Sequence, residues 1–409
     1  MLDSDFKYID LFAGIGGFHC AMNKFSNGNA RCVMASEIDS FAQNMYRQNF
    51  GIEPLGDIRK IKKNDIKEDF DVVCGGFPCQ TFSKAGMQKG FGDPRGTLFR
   101  EIVRLIHNED INKQPKLLIL ENVRNLISHD NGVTWKTIRK ALQDEHYNVI
   151  EKPLVLGPKD FGIPQLRDRA IILAVRTDIY DKPIDLTIER KKPNTTSIYD
   201  IIDKGMSKKE QSPYLISDLQ KNVLDMWDAF IKGIKQRPLG FPIWSDEFGD
   251  NRDISDLPLW KQDFINKNRK LYIEHKAFID EWLQKYKVRE YVPTYRKFEW
   301  QVGNKLKSVY EGIIQFRPSG IRVKLPTESP TLVAMVHRPI IGKYKRYLTI
   351  KETAALQSFP ENYNFSGEAE FQAYKQLGNA VNVEVIYQSF KQFVNYLENN
   401  INREDNNAN

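Results

Sequence analysis

The sequence predicts a doubly wound α/β domain accompanied by a smaller second domain, and three observations carry that expectation. Short apolar runs alternate with amphipathic stretches through the first 180 residues, a glycine-rich turn closes the first run, and the alternation stops near Arg190.

Taken in order, YIDLF (8–12), RCVMASEI (31–38), DVVCGG (71–76), KLLILENV (116–123) and AIILAV (170–175) read as strands. Helical stretches lie between them, for example over 41–50 and 98–106. Apolar strands separated by helices argue for a parallel sheet covered on both faces. RKKPNTTS, from Arg190, reads as an exposed linker. Beyond it, Ser212-Pro213 is placed to open a helix whose apolar positions Leu219, Val223, Trp227, Phe230 and Ile234 recur at helical spacing. A second helix is expected over about 262–286, and the aromatics of this region read as the core of the second domain. The Asn-rich tail after Leu397 is expected to fray.

Composition narrows the function classes. The 409 residues, 41% apolar and 28% charged, have a globular balance and length for two domains. Nothing approaches the roughly 18 to 20 consecutive apolar residues of a membrane helix, and no signal-peptide pattern precedes the first strand, so a cytoplasmic protein is expected. Cys20, Cys32, Cys74 and Cys79 include no C-x-x-C pair, and the six histidines are scattered, so neither a metal site nor a disulfide framework is expected. The net charge of +7 is modest, but residues 301–350 alone carry five Lys and four Arg against Glu311 and Glu328. Residues 201–300 are nearly neutral, with 18 basic and 16 acidic side chains. A basic window alone is what any solvated face can show; it gains meaning in combination.

Two constellations carry chemistry. In YIDLFAGIGG, Gly14, Gly16 and Gly17 let the backbone approach a ligand between strand and helix. Glu37 follows about 20 residues on, where a carboxylate can accept both hydroxyls of a ribose, and Asp57, expected after a third βα unit, suits an adenine amine. Capping and solvated acids are the alternative for both. In GGFPCQTFS, Cys79 sits in a Gly/Pro loop directly after an apolar strand, at the sheet edge where open α/β proteins bind ligands, whereas Cys74 reads as an inert core thiol.

The order DLFAGIGG (10–17), GGFPCQTFS (75–83), ENV (121–123), QLRDR (165–169) and LGNAV (377–381) resembles that of the cytosine-5 DNA methyltransferases of bacterial restriction-modification systems. The resemblance implies a Rossmann-like class I methyltransferase domain (1–189), a target-recognition domain with a helical insertion at about 200–300 (190–345), and a hinge and C-terminal helix returning to the first domain (346–409). It implies S-adenosyl-L-methionine as cofactor, held by Phe12, Gly14, Gly16, Gly17, Glu37, Ile38, Asp57, Ile58, Pro78, Leu98 and Asn379. Carbon 5 of cytosine is a poor nucleophile, and thiolate addition at carbon 6 makes it an enamine. Cys79 is the implied thiolate, and Glu121 the carboxyl that meets N3 and the 4-amino group. Arg169 and Arg167 are the implied cations at the base's O2 and the nearby phosphate. Without Cys79, a structural ion pair would be the preferred reading of Glu121 and the arginines. The segment 81–97 resembles the family's mobile loop.

Double-stranded DNA is the implied partner, with the target base flipped. Gln80, Ser83, Lys84 and Arg95 in the loop region and Arg317, Arg322, Lys324, Arg338, Lys343 and Lys345 in the basic window are the expected contacts, with Thr331 and Leu332 matching the family's TL pair. A monomer is expected, with a cognate restriction endonuclease as functional partner. Two alternatives remain open: an RNA cytosine-5 methyltransferase, although the Cys-Phe-Thr tripeptide typical of those relatives is absent, and a catalytically inactive DNA-binding protein.

Overall fold

The computed structural model describes residues 1–78, 97–191, 196–234, 240–332, 338–367 and 369–408, without the side chains of 97 and 404–408. The chain divides into two compact units, one comprising Met1–Ile163, Arg167–Pro193 and Thr353–Asn409, the other Pro164–Leu166 and Asn194–Glu352.

The first unit is built on a sheet with strands β1 (Lys7–Leu11), β2 (Arg31–Ser36), β3 (Val72–Gly76), β4 (Leu117–Val123), β5 (Tyr147–Val149), β6 (Leu154–Leu156) and β7 (Arg169–Arg176). Their order is β2-β1-β3-β4-β7-β5, with β6 also paired to β7. From β2 to β4 all neighbours are parallel. The all-parallel expectation fails beyond β4, because β7 runs antiparallel to β4, and β5 and β6 antiparallel to β7. A continuous apolar run such as AIILAV is buried on both faces in either direction, so its composition carries no information on direction. Helices α1 (Gly17–Ser26), α2 (Ser40–Phe50), α3 (Thr97–Ile106) and α4 (Val133–Asp144) connect these strands. After β1 the chain turns to β2 on one side and returns to β3 on the other. The order therefore reverses at β1, which opens a crevice at the carboxyl ends of β1 and β3.

Beneath that crevice lies a buried polar chain. The Tyr46 hydroxyl stands 2.9 Å from His19 Nδ1 and donates to Asp10 Oδ2 at 3.3 Å, with Cys32 Sγ at 3.5 Å. His19 stacks on Phe50 with centroids 3.8 Å apart. These contacts lock α1 and α2 onto β1 and β2 just below the glycine turn. Burial lowers His19 from its ordinary 6.5 to about 4, and burial, opposed by the Tyr46 hydrogen bond, raises Asp10 well above the usual carboxylate range.

The second unit packs α5 (Asp218–Gly233), α6 (Leu259–Glu274) and α7 (Lys276–Lys285) with a sheet of β8 (Ile243–Trp244), β9 (Lys297–Trp300), β10 (Ile313–Arg317), β11 (Gly320–Lys324), β12 (Ile340–Ile341) and β13 (Arg346–Tyr347). The sheet order is β13-β12-β10-β11-β9-β8. Trp227 stacks on Phe298 at 4.7 Å and 10°, and its indole donates to the Tyr295 carbonyl. Trp282 likewise donates to Met226 O, so each large ring is buried with its one polar group paired.

Three sequence expectations shift here. Helix α5 starts at Asp218, because Ser217 and Gln220 form a reciprocal capping box, and Ser212–Tyr214 is only a 3-10 turn. The helix expected over 262–286 is two, α6 and α7, meeting at His275 (φ −125°). The tail does not fray after Leu397: α9 (Val383–Ala408), which follows α8 (Glu370–Asn379), remains helical to Ala408.

The depressed His19 gives a pH test. Between pH 6.5 and 4 the unfolded chain protonates this imidazole and the folded chain does not, so its contribution to stability is lost as pH falls, roughly 3 kcal/mol over the window. Asp10, raised in the fold, has the opposite sign and favours the folded state as pH falls. The His19→Asn variant isolates the first effect: its stability relative to the parent should rise as pH drops from 6.5 to 4 in urea titrations. A pH-independent difference would show that His19 is not buried neutral.

Candidate active site

The glycine turn after β1 is held from three sides. Phe12, Gly14 and Gly16 have φ of 56°, 54° and 83°, a left-handed backbone that is costly for a phenylalanine and is maintained only by its surroundings. A Cβ on Gly16 would lie 2.2 Å from the Phe50 ring, and one on Gly17 2.6 Å from Val381 at the start of the last-helix segment, so neither position accepts a side chain. Glu37, just past β2, ties the turn down: one carboxylate oxygen accepts the Gly14 N–H at 2.8 Å, the other the N–H groups of Ile38 and Asp39 at 2.8 and 2.9 Å. Of roughly four acceptor positions on a carboxylate, three are thereby used. Beside it Ile38 is 74% exposed, an apolar side chain at the mouth of the crevice.

The remaining expected cofactor residues divide. Asp57 follows the second βα unit, not a third: after α2 the chain has only two 3-10 turns before β3. Its carboxylate caps the first of these turns and pairs with Arg59 at 2.6 Å, which holds its pKa down. The Ile58 side chain is a core residue packed with Ile9, Leu11 and Val73, so only its backbone is available to a ligand. Leu98 is half-buried at the edge of the same core, whereas Pro78 and Asn379 are exposed. Cys79, Gln80, Ser83, Lys84 and Arg95 lie outside the described residues, as does the loop expected over 81–97 up to Gly96.

At the carboxyl end of β4, Glu121 pairs in register with Gly76, whose absent side chain leaves the carboxylate 3.6 Å from where a Cβ would stand. Arg169, at the start of β7, reaches Glu121 Oε1 through Nε at 2.8 Å. The buried Arg167 donates to the Ala380 carbonyl at 2.9 Å. The three side chains line a cavity of about 10 Å³ with Asn382 and Val381, room for about one water. Burial raises Glu121 against the pull of both arginines, and burial together with Arg169 lowers Arg167 to about 9. A carboxyl that resists ionisation beside two guanidiniums can present a proton and receive developing negative charge in the same place.

Neighbouring Asn122 escaped sequence reasoning, although ENV had drawn attention to the position before it. Almost fully buried, it donates through Nδ2 to the Phe77 carbonyl at 2.8 Å and accepts the Val123 N–H at 2.8 Å. It fixes the backbone where β3 ends, two residues before Cys79.

In the second unit, Arg322 and Arg317 both face Glu299, at 2.7 and 3.5 Å, and Lys324 is half-buried on the same strand as Arg322. Arg338 lies over the Tyr347 ring, Lys343 over Tyr199 and Lys345 over Tyr310. Leu332 is buried, and the Thr331 hydroxyl donates to the Leu166 carbonyl.

A model of the family described as C-5 cytosine-specific DNA methylase matches residues 6–395. The chain belongs to this family. It is a DNA cytosine-5 methyltransferase. It is 30% identical to the Type II methyltransferase M.AluI of Cellulosimicrobium cellulans over 96% of this chain and 92% of that one. With the Type II methyltransferase M.BanI of Aneurinibacillus aneurinilyticus the identity is 33%, over 97% and 96%. Among solved structures, a putative DNA modification methyltransferase encoded within an E. coli prophage superposes with a TM-score of 0.57 at 19% identity, covering 96% of this chain and 99% of that one. The S. pombe Dnmt2 methyltransferase does so with 0.56 at 20%, over 96% and 99%. At such identities the superpositions establish the fold, a Rossmann-like class I methyltransferase domain.

For this methyltransferase, Asn122→Ala should lower single-turnover methyl transfer by up to about 100-fold through misplacement of the adjoining loop. Thermal stability should fall by about 1 kcal/mol from the lost hydrogen bond to the Phe77 carbonyl. Unchanged single-turnover rates at reduced stability would make Asn122 purely structural.

Proposed function

We propose that the chain transfers a methyl group from S-adenosyl-L-methionine to carbon 5 of a cytosine flipped out of a specific sequence in double-stranded DNA, protecting host DNA in a restriction-modification system. The observation that carries the mechanism is Glu121: a buried carboxyl with raised proton affinity, next to the end of the strand that leads to Cys79 and in contact with Arg169.

In this reading the Cys79 thiolate adds to carbon 6, and negative charge flows toward N3, where the protonated Glu121 carboxyl meets it. Arg169 turns its remaining N–H groups to O2, and Arg167, buried behind it, keeps the site positive and favours the thiolate. The cofactor supplies an electrophilic methyl on a sulfonium. After transfer, a solvent water takes the carbon 5 proton, the carbon 6–sulfur bond breaks to release the thiolate, and N3 returns its proton to Glu121, which restores the ring.

The turn fits that cofactor. Gly14 has open space where a side chain would stand, and Glu37 retains an acceptor position for a ribose hydroxyl beside the apolar face of Ile38. Phe12, Gly16, Gly17, Asp57, Pro78, Leu98 and Asn379, with the Ile58 backbone, would complete the binding surface. The functional partner would be a cognate endonuclease with the same target, as the Type II names of the relatives suggest.

Incubating plasmid DNA with the purified chain and tritiated S-adenosyl-L-methionine, followed by bisulfite sequencing, should place marks at one short recurring motif. Label entering RNA and not duplex DNA would reject the substrate. Cys79→Ser should abolish methylation while duplex binding persists, and full residual turnover would remove Cys79 as nucleophile. Glu37→Ala should weaken cofactor binding at least 10-fold by calorimetry, an effect of about 1.4 kcal/mol or more. Equal affinity in parent and variant would free the ribose assignment.

A further inference from the structure

The sheet of the second unit has two unlike faces. Pairing sets Phe298 opposite Ile321 and Trp300 opposite Val323, and these side chains are buried in the core with Trp227 and Trp282. The alternate residues point the other way. There Glu299 of β9 stands opposite Arg322 of β11, which stands opposite Gln315 of β10, and Lys297, Arg317 and Lys324 share that face. Two of the four cations on that face, Arg317 and Arg322, contact its one carboxylate.

The carboxylate holds both arginines. Oε2 accepts Arg322 Nε and Nη2, each at 2.7 Å, together with Gln301 Nε2 at 3.0 Å, and Oε1 faces Arg317 Nη1 at 3.5 Å. Gly320, in register with Arg317, has no side chain between them, and a Cβ there would meet Lys297 at 2.7 Å. Both arginines are about three-quarters withdrawn from solvent, at 28% and 24% exposure. Arg322 Nη1 and Arg317 Nε and Nη2 have no acceptor among the described residues. Two guanidiniums on one carboxylate leave a positive charge and a set of oriented donors unspent in a partly dry place, an arrangement that favours a further acceptor.

We propose that Arg317 and Arg322, oriented by Glu299, form a guanine-reading pair that donates to O6 and N7 in the major groove of the target duplex. The inference rests on the duplex-DNA reading above. A phosphate can be met by a mobile lysine or arginine, which needs no fixed orientation. A base edge requires a guanidinium fork held within narrow angular limits, which a carboxylate grasping Nε and Nη2 supplies. Lys297 and Lys324, flanking the pair, suit the backbone on either side.

The test methylates a pool of duplexes of randomised sequence with the full-length wild type, Arg322→Lys, Arg317→Lys, Glu299→Gln and Lys324→Ala, and recovers the marked motif by bisulfite sequencing. Wild type should mark a motif with an invariant guanine. Arg322→Lys or Arg317→Lys should reduce the preference for guanine at one position by about 5- to 150-fold, and Glu299→Gln, which keeps the shape, should relax the same position. Lys324→Ala should weaken all sites alike and flatten the salt dependence. If both arginine variants and Glu299→Gln keep the wild-type motif, even at lower activity, the cluster is a clamp for the sheet and the proposal is wrong. Relaxation at an A·T position rejects guanine as the base. Should an arginine variant fail to show a cooperative thermal transition, the near-isosteric Glu299→Gln decides. A wild type that marks RNA alone, or nothing, overturns the duplex reading and this proposal with it.

Discussion

The reversal of strand order at β1 is the constraint on which the rest of the first unit depends. A parallel sheet wound in one direction would close over its strand ends with connecting loops. Winding out to β2 and back to β3 leaves the ends of β1 and β3 uncovered side by side. The glycine turn, Glu37 and the strand that precedes Cys79 are neighbours for that reason. Phe12 in a left-handed conformation, and glycines pressed against Phe50 and Val381, are local costs met by the surrounding packing. Glu37 holds the turn with the same carboxylate proposed to bind a ribose, so order in the turn and affinity for ligand are linked through one side chain.

Charge is handled differently in the two units. In the first, a single carboxyl is withdrawn from water until burial outweighs two nearby arginines and its proton affinity rises. In the second, Glu299 is only partly withdrawn, and it holds Arg322 at 2.7 Å and Arg317 at 3.5 Å. The difference follows from solvent access: full burial alters which species exists, whereas partial burial with a two-point hold alters where the species points.

Much of this was legible in the sequence, for identifiable reasons. The runs later found as β1 to β4 are mostly apolar, and those of β1 and β3 run into Gly- or Pro-containing turns, so both elements and loops could be placed. The direction of β7 was not legible, because burial on both faces has no polarity. Asp57 was assigned to a βα unit that does not exist, since the stretch after Gly51 makes its turns with backbone hydrogen bonds that leave little compositional trace. The break at His275 was hidden because helical periodicity continues through it. Glu121 and the arginines were found from motifs, whereas Asn122 and Glu299 were not. Their partners are backbone or side chains brought near by strand pairing, and register of that kind is set by the fold.

The first unit is made from three separate lengths of chain. Tyr363 donates to the Ile15 carbonyl, Arg167 reaches Ala380, and the last long helix lies along α1. During synthesis, strands β1 to β7 leave the ribosome long before the segment that seats the glycine turn from behind, and at about 5–20 residues per second the interval is on the order of ten seconds or more. The second unit is complete in the meantime, apart from its short piece at Pro164–Leu166, which has already emerged. The unit begun first is therefore the one finished last. A growing chain owns the sheet that carries Arg317 and Arg322 before it owns a finished glycine turn, and an abortive product cut short before residue 353 lacks the support on which that turn rests.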